Sequence, residues 1–500
     1  MKLTIGGIVD SCLWTAPDDM AATLGGDQRS FCQLDSFANQ CARVLAGHGA
    51  GPGDVVAWWA GAALRTLDGF VACARLGSVF APVNPALSAQ EAGATLEYLQ
   101  PKVLVADGEH AELAWALSAE LRVPLLVFGD SRAPGTDLDA AAESASASPL
   151  GTDVDELSPH ILYLTSGSTG RPKGALVSQR ASWLRASGGG GTFSGDLRGT
   201  GGVVTAFPLY HYGGWSYVME AWHNRRPIHL VHRAVADQVL EAAARWRASA
   251  LYAIPAVWER ILDAPATEYD LTSVRQADTG TSSVSDALLE RIKDRIPLSQ
   301  TSVLYGSTEA GRMSRLADHE LADHPGSVGR AAAPGSLRIA EDGEVLFRTP
   351  GLMQGYLRRP AETAAAVRDG VYHSGDVGQL DADGYLYLTG RNRELIRSGG
   401  ETIWPVEVET ALRDLPGVTD LAIVGIPDER WGEVVCAAVV LPARAAAPEV
   451  AVVRKHAAAR LAPYKQPRMV VSVPHIPRTP ATGQVQRRAL REMITEVRPC

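Results

Sequence analysis

The chain has 500 residues, with 47 Lys plus Arg against 56 Asp plus Glu, a formal charge of −9, and 46% apolar positions. At about 100 to 200 residues per domain this length fits two to four domains with enough apolar content for their cores, which excludes disorder, collagen-like repeats and small disulfide scaffolds. Mild acidity without a long Lys/Arg run lacks the electrostatic footprint of non-specific nucleic-acid binding, so pairs such as Arg225-Arg226 and Arg487-Arg488 read as solvated surface.

The longest uncharged apolar stretches, Val55 to Leu64 and Val434 to Ala443, are about half the roughly 20 residues of a membrane-spanning helix. Met1 to Ile5 meets Asp10 before an export-type apolar segment accumulates, so the expectation is a cytoplasmic chain with neither membrane nor nucleic-acid partner. The cysteines at 12, 32, 41, 73, 436 and 500 form no Cys-x-x-Cys pair and read as reduced, structural thiols.

In chain order, Leu34, Phe37, Cys41, Val44 and Leu45 share one helical face, and Gly51-Pro52-Gly53-Asp54 turns the chain into an apolar strand at Val55 to Trp59. A helix around Gly69 to Leu76 follows, then strands near Val79 to Pro82, Val103 to Ala106 and Leu125 to Phe128. Strands alternating with helices predict parallel sheets covered on both faces. Ser131 to Asp153, rich in Ala, Ser, Gly and Asp, and the Gly-rich Ser187 to Gly202 read as exposed loops. No internal repeat of solenoid period is present. After Gly390 the texture changes to a unit with its own strands at Leu421 to Gly425 and Val434 to Leu441.

Strand-like Ile161 to Leu164 runs into Thr165-Ser166-Gly167-Ser168-Thr169-Gly170-Arg171-Pro172-Lys173-Gly174. Hydroxyls, glycine amides and a lysine after a strand suit a polyphosphate, because small residues let backbone N–H groups approach and the ammonium offsets charge. It is not a Walker loop, since Pro172-Lys173-Gly174 stands where Gly-Lys-Ser/Thr is required.

This segment resembles the signature loop of the adenylate-forming superfamily of acyl-CoA ligases, luciferases and peptide-synthetase adenylation domains. Tyr305-Gly306-Ser307-Thr308-Glu309 is similar to the family's second nucleotide motif, which implies Thr308 on the α-phosphate and Glu309 on magnesium. Ser374-Gly375-Asp376 resembles the motif whose carboxylate accepts the ribose hydroxyls. Gly390-Arg391 and Ser398-Gly399-Gly400-Glu401 through Glu407 resemble the hinge, at Arg393, and the glycine loop of a mobile C-terminal domain. Pro477-Arg478-Thr479 through Arg488 resembles the terminal catalytic segment.

The resemblance implies an α/β fold with a large N-terminal domain of two doubly wound sheets plus a small β-barrel, residues 1–390. A hinge at 391–393 and a small mobile α+β domain at 394–500 follow. It also implies two steps: a carboxylate attacks ATP to give acyl-AMP, and then a thiol, that of CoA, attacks the acyl carbon and expels AMP. The second step needs mainly positioning. Gly399, Gly400 and Glu401 are expected beside the CoA tunnel, and the exposed Arg358 and Arg359 are candidates for its phosphates.

One departure matters most. Where the family carries a lysine that reaches the substrate carboxylate and α-phosphate during adenylation, this chain reads Thr482-Gly483-Gln484-Val485. Losing a preorganised charged donor at a transition state costs about 3 kcal/mol, a factor of roughly 100 to 1,000, and only in the first half-reaction. The expectation is therefore thioester formation from a preformed acyl-AMP supplied by a partner enzyme, as in the non-adenylating acyl-CoA ligases of diterpenoid antibiotic biosynthesis that the chain resembles. ATP and magnesium are needed only if adenylation is retained. Three other accounts stay open: a lysine replaced by design, compensation by Lys465 or Arg487, or an adenylate-binding protein without turnover.

Further departures surround the nucleotide. Gly280-Thr281-Ser282-Ser283 replaces the family's Gly-Ala-Pro at the adenine face, and Gln179 stands where His is frequent. In Pro208 to Gly214 the resemblance places the acyl pocket, with Tyr212, Gly213 and Gly214 lining it and His211 as a gate or carboxylate contact. No Asp is present there to pair with an α-ammonium, which disfavours amino acids. The small residues suggest room for a bulky apolar acid.

Overall fold

The computed structural model describes residues 2–165, 173–187, 201–265, 269–282, 284–391, 394–398, 401–428, 431–443, 445–458, 460–479 and 482–497, with backbone only at Arg391, Thr402, Glu496 and Val497. Contacts divide the chain into a larger unit, residues 1–323, 331–336 and 347–372, and a smaller one, residues 324–330, 337–346 and 373–500.

In the larger unit, Val55–Trp59 lies between parallel neighbours Val79–Val83 and Val103–Asp107, with Leu125–Phe128 next beyond, in an eight-stranded sheet. These strands are nearly all apolar because both faces are covered. The helix Phe31–Gly47 starts at Ser30, whose Oγ accepts from the Gln33 N–H while Gln33 Oε1 accepts from the Ser30 N–H, a reciprocal cap. The helix Leu64–Leu76 ends on Gly77 at φ 75°. Its Gly69 is set by packing, since a Cβ there would stand 2.2 Å from the Trp58 ring.

A nine-stranded sheet has the parallel core Met20–Leu24, Ile228–Leu230, Val203–Thr205, Ala250–Tyr252, Gln276–Gly280 and Gln300–Ser307. A five-stranded sheet includes Glu344–Arg348, Val371–Leu380 and Leu386–Arg391. In the smaller unit Asp420–Asp428 pairs antiparallel with Gly432–Val440. Alternate residues build two cores: Ile423, Val435, Ala437 and Val439 on one face, and Ala422, Val424, Cys436 and Ala438 on the other with Leu490 and Ile494 of the helix Arg487–Val497. The two-domain α/β expectation matches this architecture.

One expectation is corrected. Within 131–153 lies a helix, Leu138–Glu143, with Leu138 and Ala142 buried. Asp137 caps it by accepting from the Ala140 N–H at 3.0 Å, and it packs on Phe31–Gly47. Ala-rich composition reads as a loop, but alanine is the strongest helix former, and one cap and one apolar contact decide the outcome. Of the Gly-rich stretch, residues 188–200 lie outside the described residues.

Candidate active site

Strand Lys173–Ser178 sits between Pro159–Thr165 and the short edge strand Gly355–Tyr356, and this register sets the first cluster. Thr165 pairs with Lys173, and its Oγ1 donates to the Lys173 carbonyl at 3.3 Å. The Lys173 ammonium lies 5.3 Å above the Tyr356 ring and 3.2 Å from Glu362 Oε2. Tyr356 then donates its hydroxyl to Glu309 Oε1 at 2.6 Å, and Tyr372 donates to Oε2 at 3.3 Å. Lys173 and Glu309, distant in sequence, are thus joined through one tyrosine. Ser166, Gly167, Ser168, Thr169 and Gly170 lie outside the described residues.

Thr308 and Glu309 occupy the turn between Gln300–Ser307 and Gly311–Leu316, after a register shift at Tyr305/Gly306. Such bulges re-aim the residues that follow. At Gly306 a Cβ would stand 2.4 Å from the Gly311 carbonyl oxygen, so the close approach requires glycine. Arg185 holds the turn: its guanidinium donates to the carbonyls of Thr308 at 3.0 Å, Glu309 at 2.8 Å and Gly351 at 2.7 Å. It also lies 5.0 Å over the Tyr212 ring. A single carboxylate such as Glu309 fits magnesium, which takes one or two protein carboxylates and completes its shell with phosphate oxygens and water. Among the described residues no group of three or more His, Cys, Asp or Glu side chains forms a self-sufficient metal site.

His211 is the N-cap of the helix Tyr212–His223, with Nδ1 accepting from the Gly213 N–H at 3.3 Å. Its ring packs 4.9 Å from Phe207, and burial pushes its pKa down to about 4, so the imidazole is neutral at pH 7. A Cβ on Gly213 would meet the Phe207 ring at 2.9 Å, and one on Gly214 would meet the Pro208 carbonyl oxygen at 2.6 Å. A Cβ at Gly280 would stand 2.1 Å from the Leu304 carbonyl oxygen. These glycines allow backbone and ring to approach closely along the direction a Cβ would take.

Thr281 holds φ 68°, a left-handed conformation uncommon for a non-glycine residue, with Oγ1 2.5 Å from the Gly280 carbonyl oxygen. Tyr252 hydrogen-bonds to Thr281 and stacks on Tyr217 with centroids 4.3 Å apart, which links the adenine-face segment to the helix of the acyl segment. Ser282 is half-buried beside it. Beneath lie the ion pair Arg312–Glu220 at 3.0 Å and Asp278, whose carboxyl burial pushes up to about 6.

In the smaller unit, Asp376 is buried, its N–H donates to Ser374 Oγ at 3.1 Å, and it pairs in register with Arg391. Glu401 is exposed on the strand Glu401–Ile403. Arg393, Gly399 and Gly400 lie outside the described residues. The terminal segment forms a tight turn: Thr479 N–H donates to the Gln484 carbonyl at 2.8 Å, the Gln484 N–H donates to Thr479 Oγ1 at 3.1 Å, and Gly483 takes φ 67°.

Both compensating cations are engaged. Lys465 donates to Glu407 at 2.6 Å, and the half-buried Arg487 pairs with Glu394 and Glu409, each at 3.0 Å. Arg358 likewise bonds to Gln100 and the Tyr98 carbonyl, and Arg359 lies over the Tyr98 ring and beside Glu362.

Sequence reasoning missed Arg185, Tyr356, Tyr372 and Glu362. No apolar run marks Gly355-Tyr356, which follows Gln354, as an edge strand, and Arg185 carried no signal either.

Residues 13–357 match the AMP-binding enzyme model, and residues 407–482 match the AMP-binding enzyme C-terminal domain. The chain is 33% identical over 482 residues to indoleacetate–CoA ligase of Aromatoleum aromaticum, covering 93% of each. It is 33% identical over 492 residues to feruloyl-CoA synthase of an Amycolatopsis species, covering 95% of this chain and 96% of that one. ATP-bound MatB from Rhodopseudomonas palustris superposes with a TM-score of 0.88 at 26% identity, over 99% of this chain and all of that one. The chain belongs to the AMP-binding enzyme family, the adenylate-forming superfamily that includes the acyl-CoA ligases.

Proposed function

We propose that this chain is an acyl-CoA ligase specialised for the thioester half-reaction, moving a bulky acyl group from acyl-AMP to CoA with release of AMP. The observation that carries this reading is Gln484 in the terminal turn, together with the engagement of Lys465 and Arg487 in ion pairs. An amide can donate a hydrogen bond to a carboxylate or phosphate but supplies no charge, and charge is what an attack on the α-phosphate requires.

In this reading the larger unit binds the adenylate through Thr165, Lys173, Thr281, Tyr305 and Thr308, and Asp376 takes the ribose. Arg391 to Arg393 is the hinge, and Gly399 to Glu401 flank the thiol. When bound, magnesium would offset phosphate charge at Glu309. A free thiol of pKa near 8.5 has a reactive fraction at neutral pH, so no dedicated base is required. His211, neutral and helix-capping, presents a rigid polar edge to the acyl segment. The relatives named for indoleacetate and ferulate support a ring-bearing acid. Diterpenoid acids of antibiotic biosynthesis are the bulky case, and an adenylating partner enzyme would supply the acyl-AMP.

A second reading, a complete ATP-dependent synthetase, is favoured by retention of Lys173 and Glu309 and by the relatives' names. The two are separated by asking whether acyl-CoA forms from acid, ATP and CoA or only from acyl-AMP and CoA.

A further inference from the structure

We propose that Glu362 is a specificity-determining residue that biases the Lys173 phosphate site against nucleoside triphosphates and toward nucleoside monophosphate esters. The inference rests on the reading of Lys173 as a nucleotide contact given above.

The geometry is that of a carboxylate held in place on the cation a polyphosphate would use. Glu362 Oε2 lies 3.2 Å from Lys173 Nζ and is shielded from solvent, while Oε1 is 3.5 Å from Arg359 Nη1. The Lys173 side chain is 14% exposed and that of Glu362 35%, so the pair is screened less than one on the open surface. Glu362 is carried in the first turn of the helix Pro360–Ala366. That helix is tied to the Tyr356 strand where the Tyr356 N–H donates to Thr363 Oγ1 at 2.8 Å. The same strand places the Tyr356 ring under the ammonium and its hydroxyl on Glu309. Lys173 is thus flanked by one carboxylate directly and approaches a second through the tyrosine.

A triphosphate brings several negative charges to such a site and must either displace Glu362 from Lys173 or bind beside it. An acyl-adenylate brings a single phosphate charge, and AMP brings one phosphate group of up to two charges with no β- or γ-phosphate to place on Lys173, so both meet much less of this repulsion. Discrimination is a difference of affinities, and a fixed like charge is the simplest way to produce one. Gln484 would impair chemistry on bound ATP, whereas Glu362 acts earlier, on binding.

The test is calorimetric titration of the full-length wild-type, Glu362→Gln and Glu362→Asp proteins with MgATP and, separately, with AMP. Glu362→Gln should tighten MgATP by about fivefold while AMP stays within about twofold, the scale expected for one partly screened ion pair. Glu362→Asp, which keeps the charge, should keep the wild-type ratio. Detectable MgATP binding only in the Gln variant would support the same conclusion. An unchanged MgATP-to-AMP ratio in Glu362→Gln, an equal shift in both substitutions, or MgATP binding to none of the three proteins would overturn it. Failure of AMP to bind any of the three would overturn the nucleotide-site reading, and this inference with it. The half-reaction is judged by product formation, so it can stand or fall separately.

Discussion

The hydroxyl of Tyr356 donates to Glu309 Oε1 at 2.6 Å while its ring face lies 5.3 Å under the Lys173 ammonium. One side chain therefore spaces a candidate phosphate cation from a candidate magnesium carboxylate, and both edges of that relationship can be removed separately. Tyr356→Phe deletes the hydrogen bond and keeps the ring. Because Tyr372 still donates to the other oxygen, the expected loss is about 1 kcal/mol in urea unfolding. Tyr356→Leu should lose clearly more. Equal midpoints for wild type and Tyr356→Phe would show that the contact contributes nothing in solution.

Acid should act through His160. This imidazole is fully buried on the strand Pro159–Thr165, edge-on to Phe70 with centroids 4.7 Å apart, and burial pushes its pKa down to about 3. A histidine whose folded pKa lies below its unfolded value near 6.5 binds its proton preferentially in the unfolded state. Stability is therefore retained above about pH 6.5 and lost progressively as pH falls toward 3. The full shift corresponds to about 5 kcal/mol at the acid end. His160→Phe should flatten the decline of melting temperature between pH 6 and pH 4 while changing little at pH 8. An acid limb identical to wild type would contradict this, provided the pH 8 melting temperature is preserved.

Packing at the acyl segment gives a third expectation. Gly214 lies under the Pro208 carbonyl, where a Cβ would be 2.6 Å from oxygen. Backbone cannot yield as a side chain does, so Gly214→Ala should destabilise by about 1 to 3 kcal/mol and shift the start of the helix Tyr212–His223. Calorimetric melting tests this, and an unchanged melting temperature would mean that the glycine leaves open space after all.

Restoring the lysine should restore chemistry. Gln484→Lys is expected to increase ATP-dependent adenylation by roughly 100-fold or more, read as pyrophosphate release with the cognate acid, with little change in thioester formation from acyl-AMP. Pyrophosphate release that stays at the wild-type level in the folded variant would contradict the role given to this position.

Much of the architecture was legible because local pattern and tertiary fate agree. Val55 to Trp59 and Leu125 to Phe128 are continuous apolar runs bounded by turns, and both are buried parallel strands. The helix at Leu138 was not legible, since its stability depends on the Asp137 cap and on a partner more than 90 residues earlier in the chain. At the site, motifs identified Lys173, Glu309 and Gln484 because each sits in a fixed string of neighbours. Arg185, Tyr356 and Glu362 act across strands and turns from unremarkable local sequence, and only the register of Gly355–Tyr356 on Lys173–Ser178 brings two of them to the lysine. At Gly213, Gly214 and Gly280 the sequence shows only that the residue is small, and each marks a close approach of backbone or ring along the direction a Cβ would take.

The most direct test of the half-reaction is a paired assay by mass spectrometry over a panel of ring-bearing acids. One tube holds wild-type protein with acid, ATP, magnesium and CoA, and the other holds it with synthetic acyl-AMP and CoA. Acyl-CoA formed from the adenylate alone is the predicted result. Acyl-CoA formed at comparable rates in both tubes would contradict it and make the chain a complete synthetase that tolerates Gln484.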